Sequence, residues 1–63
     1  MDIDSYRQEL LKKYALAQYY LGIKTTLAYK FNLIGNESLD KVSINKLEKL
    51  IAIYRKIYNQ RNK

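Results

Sequence analysis

The chain has 63 residues, 48% of them apolar, no cysteine, no histidine and a formal net charge of +6. That length holds one domain, and folding hides only about 60% of the surface of so short a chain, so a partner subunit is the natural supplement to its stability. The missing residue types exclude disulfides, thiolate and imidazole metal sites and a Ser-His-Asp triad, and the six scattered carboxylates fit helix starts and solvated faces, so neither an enzyme nor a cofactor is expected.

No apolar run reaches the roughly 18 residues of a membrane span, and Met1-Asp2-Ile3-Asp4 is acidic where a secretion signal is basic, which points to a soluble, cytoplasmic protein with no membrane partner. From Asp4 to Leu21 there is no Gly, Pro or Asn, and Ile3, Tyr6, Leu10, Tyr14, Ala17 and Leu21 recur at spacings of three or four. This predicts a first helix over about 4–21, capped by Asp4 or Ser5 with Gln8 in capping-box position. Gly22 ends it, and Ile23 is placed to fold back on the last turn.

A second helix fits about 25–33, with Leu27, Phe31 and Ile34 on the buried face and Thr25, Tyr29 and Asn32 opposite. Gly35-Asn36 closes it, and a connector follows with a helical turn in 37–41. Ser43 caps a third helix over 43–61, whose Ile44, Leu47, Ile51, Tyr54 and Tyr58 form a stripe that Leu50, Ile53 and Ile57 widen. Residues 1–63 thus read as one small all-α, three-helix domain.

Charge and aromatic content carry the functional signal. Residues 12 to 36 hold Lys12, Lys13, Lys24 and Lys30 and no acid, and the tail adds Arg55, Lys56, Arg61 and Lys63. Such segments repel no phosphate backbone. Seven tyrosines are many for this length; Tyr6, Tyr14, Tyr54 and Tyr58 suit a core or a subunit contact, whereas Tyr19, Tyr20 and Tyr29 exceed what one small core needs.

Leu16, Ala17, Leu21, Gly22, Ile23, Thr26 and Leu27 resemble the helix-turn-helix of small phage and plasmid regulators and excisionases, commonly L-A-x-x-L-G-[IV]-x-x-x-[TS]-[IL]. The resemblance covers about a quarter of the chain. It implies a regulator from a phage or other mobile element that binds double-stranded DNA with its second helix in the major groove. Thr25, Thr26, Tyr29 and Asn32 would then face base edges or phosphates, with Lys24 and Lys30 on the backbone. The alternative is a non-enzymatic protein-interaction module, such as an inhibitor, antitoxin or adaptor, docking through apolar, Tyr-rich helix faces. Leu50, Ile53, Tyr54, Ile57 and Tyr58 are its expected interface, for another protein or for a homodimer.

Overall fold

In the computed structural model, which describes residues 2–61, three helices follow one another: α1 (Ile3–Leu21), α2 (Ile23–Ile34) and α3 (Ile44–Arg61). The small all-α, three-helix architecture is as the periodicity predicts, and each boundary falls within two residues of its expected place. Lys63 lies outside the described residues. α1 begins early because Asp2, rather than Asp4 or Ser5, is its N-cap, accepting from the Asp4 amide at 3.3 Å. Ser43 caps α3 as expected, its Oγ accepting from the Lys46 amide at 3.3 Å.

Gly22 serves two helices at once. Its φ of +94° and ψ of 149° lie in a region open essentially to glycine alone. Its amide donates to the Gln18 carbonyl and closes α1, while its carbonyl accepts from the Thr26 amide and opens α2. Ile23 therefore starts α2 and stays exposed, instead of folding back on α1. The joint is this one residue, where a helix-turn-helix has a turn of three or four.

α1 and α3 lie side by side and run in the same direction. Along the pair, Tyr6 donates to Glu48 at 2.8 Å, the Tyr14 and Tyr54 rings stand 5.8 Å apart, Tyr20 meets Tyr58 at 5.4 Å, and Arg61 donates to the Leu21 carbonyl at 3.3 Å. α2 doubles back from the far end of α1 and packs against both. The return to α3 makes a single turn, in which the Ser38 carbonyl accepts from the Lys41 and Val42 amides at 3.0 and 2.9 Å; the helical turn expected in 37–41 is thus displaced by one residue and does not propagate. Arg7 holds this loop from α1, donating to the carbonyls of Leu39 at 3.1 Å and Val42 at 2.6 Å.

The core is built from Leu10, Tyr14 and Leu21 of α1, Ile34 of α2, Val42 of the loop, and Leu47, Leu50 and Tyr54 of α3. Periodicity identifies these positions in α1 and α3 but misses Val42, which no helical repeat marks. α2 departs furthest from expectation. Its covered side holds Thr26, Leu33 and Ile34, while Leu27 is 47% exposed and Phe31 63% exposed. At 100° per residue the covered face is turned by roughly 60° from the apolar arc.

The cause is Thr26, which is completely buried although its side chain is polar. Its hydroxyl lies 3.1 Å from the Gly22 carbonyl and 3.0 Å from that of Ile23, and its own carbonyl accepts the Tyr54 hydroxyl at 2.6 Å. With every polar atom satisfied, threonine enters the core at little cost. Its carbonyl also anchors α2 to α3 in this rotation.

Candidate functional site

The parallel arrangement of α1 and α3 segregates charge. Segments 10–34 and 49–61 carry eight cations and no carboxylate, whereas segments 2–9 and 35–48 carry all six carboxylates beside Arg7, Lys41 and Lys46. Since Tyr6 sits by Glu48 and Leu21 by Arg61, the acidic segments share one end of the molecule, and the far end of α1 and α3 carries no carboxylate and the cations of α3. In a small domain such a separation projects a strong positive field from one end.

Exposed apolar side chains gather toward the same end. Of nine large hydrophobic residues exposed among those described, seven lie between Leu16 and Phe31. Ile23, Leu27 and Phe31 make a stripe at spacings of four along α2. Leu16, Tyr19 and Tyr20 are exposed on the last turns of α1. Tyr19 and Tyr20 meet edge-on at 5.3 Å, and Tyr20 meets Tyr58 in the same manner, so three rings from two helices form a chain.

A groove of about 290 Å³ runs between α1 and α3 with no contribution from α2. Its α1 wall is Lys13, Leu16, Ala17 and Tyr20, with Leu21 behind. Its α3 wall is Ile51, Tyr54, Arg55 and Tyr58. Each set follows the i, i+3, i+4, i+7 spacing of a single helix face, and each contains one cation. Tyr54 forms part of the floor, where burial, and then the neighbouring Tyr14, push its hydroxyl far above the ordinary 10.0. Tyr14 is raised by burial too, and Tyr6 chiefly by its hydrogen bond to the Glu48 carboxylate.

The residues of the expected DNA-contacting set differ in exposure. Lys24, Tyr29 and Asn32 are exposed, Thr25 and Lys30 are half-buried, and Thr26 is in the core, held there by its bonds to Gly22, Ile23 and Tyr54. The expected α3 interface divides as well. Leu50 and Tyr54 are core residues covered within one chain, Ile53 and Ile57 are half-buried, and only Tyr58 is exposed. Periodicity finds an apolar face but cannot say whether the chain itself covers it, so part of the α2 stripe lies in water and part of the α3 face lies in the core. Among the described residues no group of carboxylates gathers to hold a metal. No described helix is long and apolar enough to cross a membrane.

Set against known protein families, curated proteins and solved structures, the chain finds no match. The surface itself is therefore the guide to function.

Proposed function

We propose that the protein is a non-enzymatic helical interaction module that docks on another protein through the corner of α1 and α2. The observation that carries this reading is the clustering of seven exposed large hydrophobic residues between Leu16 and Phe31. Contiguous exposed apolar surface costs solubility and marks binding sites for other macromolecules. It offers nothing to phosphate, and aromatic side chains in such a patch supply the anchoring area of protein interfaces. A homodimer through α3 would have to rely on Ile53, Ile57 and Tyr58, since Leu50 and Tyr54 are occupied in the core.

The test is capture of partners by immobilised protein, comparing wild type with Leu27→Asp/Phe31→Asp and with a control substitution at the acidic end, Lys41→Ser. Proteins retained by wild type and control but lost from the double variant support the reading. Identical retention by all three overturns it.

Duplex DNA is the second reading, favoured by the eight cations and absent carboxylates of segments 10–34 and 49–61. It places Lys24, Tyr29 and Asn32 on the DNA and keeps Thr26 out of contact. It predicts binding that weakens steeply with salt through counterion release and is lost on Lys24→Ala/Lys30→Ala. Absence of duplex binding at low salt removes it.

A further inference from the structure

We infer that the groove between α1 and α3 receives an acidic amphipathic helix of a partner protein, which completes a four-helix arrangement. α2 covers one side of the α1 and α3 pair, and the groove lies between these two helices where α2 takes no part. Its two walls are matched helical stripes running in the same direction, which is the seat a further helix needs to lay apolar side chains between two neighbours. At about 290 Å³ the groove is at the small end for a drug-sized ligand and suits one or two large side chains from a docked segment.

Charge selects the occupant. Tyr14 packs on Tyr54, so Lys13, one residue before the first, and Arg55, one residue after the second, lie within about 3 Å of one level on the two walls at 1.5 Å per residue. Neither wall contains a carboxylate from residue 10 of α1 onward or from residue 49 of α3 onward. A second copy would bring its own cations to this seat, and a basic segment would be repelled. An occupant with a carboxylate at the level of Lys13 and Arg55, and with apolar anchors toward Tyr20 and Tyr58, meets both needs.

This inference rests on the protein-partner reading above but not on the α2 stripe. Leu27 and Phe31 lie outside the groove, so the Leu27→Asp/Phe31→Asp protein tests that reading while leaving the seat intact. The probes are two helical peptides of about 18 residues, the length of either helix that forms the groove, with the same Leu and Ala stripe flanked by Glu in one and by Lys in the other. Each is titrated onto the full-length protein at about 0.1 M salt, with binding read by fluorescence anisotropy. The Glu peptide is expected to bind and the Lys peptide not. Lys13→Glu and Arg55→Glu should each weaken the Glu peptide roughly tenfold, and the double variant should accept the Lys peptide. Leu16→Asp, at an exposed position of the wall, should abolish binding without altering the circular dichroism melt. Equal binding of both peptides, or none to a protein whose melt is intact, overturns the proposal. A wild-type dimer that Leu16→Asp dissociates also overturns it, since the occupant is then a second copy.

Discussion

Replacing Tyr54 by Phe should destabilise the protein at neutral pH and stabilise it in strong alkali. The tyrosine is 3% exposed, and its hydroxyl donates to the Thr26 carbonyl at 2.6 Å. Phenylalanine keeps the ring contact with Tyr14 and removes that one bond. The carbonyl it leaves lies inside α2 and retains its intrahelical partner, so the loss is about 1 kcal/mol and not the larger penalty of an unsatisfied group. Above pH 10 the balance changes. The hydroxyl is held protonated in the folded protein well past 10.0, chiefly by burial, whereas the unfolded chain ionises there. The unfolded state then binds fewer protons, and this residue's contribution falls with rising pH by at most about 1.4 kcal/mol per unit. Stability is fully present below the unfolded value and lost as pH climbs toward the folded one. Wild type and Tyr54→Phe should therefore cross near pH 11. Urea melts at several pH values from 7 to 11.5 measure the difference. A deficit that stays constant across that range refutes the claim that the fold suppresses ionisation of Tyr54.

Three other outcomes are expected. Gly22→Ala meets no atom within 4 Å but forces a side chain onto φ +94°, which should cost about 1–3 kcal/mol, read as a drop in Tm of roughly 4–8 °C per kcal/mol; an unchanged Tm would show that the joint is not strained. Arg7→Ala removes both bonds that pin the loop and should cost about 2 kcal/mol, with faster amide exchange at Lys41 and Val42 than elsewhere in the chain. Leu27→Asp/Phe31→Asp should lower Tm only modestly and raise solubility, because about half or more of each side chain is already exposed; marked destabilisation would place α2 in the rotation that periodicity predicts.

How far the chain could be read locally differs from helix to helix. The extent of α3 was legible because its repeat runs over five turns and Ser43 caps it, but spacing does not say that Leu50 and Tyr54, expected at an interface, are covered within the chain. α1 was equally legible, apart from its cap, since Asp2, Asp4 and Ser5 are all competent and only the path of the chain selects among them. α2 is short, and Ile23, Leu27, Phe31, Leu33 and Ile34 spread over an arc wider than its neighbours can cover. No local rule says which edge of that arc is left in water. Thr26 is equally silent, because a threonine whose hydroxyl is satisfied by its own helix is indistinguishable in sequence from one that faces a ligand.

What the sequence by itself determined is everything that depends on neighbours within a few residues: three helices, two glycine-closed ends, the Ser43 cap, and the exclusion of cysteine and histidine chemistry. What only the tertiary structure decided is everything that depends on residues distant along the chain. Segments 2–9 and 35–48 are acidic in any conformation, yet they meet at one end only because α1 and α3 run in the same direction. The groove exists for the same reason, since Lys13 and Arg55 are 42 positions apart and line it together only through the packing of α1 on α3. The exposure of Leu27 and Phe31 accompanies the burial of Thr26, whose carbonyl accepts the Tyr54 hydroxyl across 28 positions. Short-range spacing makes a helix and its apolar arc; which part of that arc remains for a partner is set by what the rest of the chain can cover.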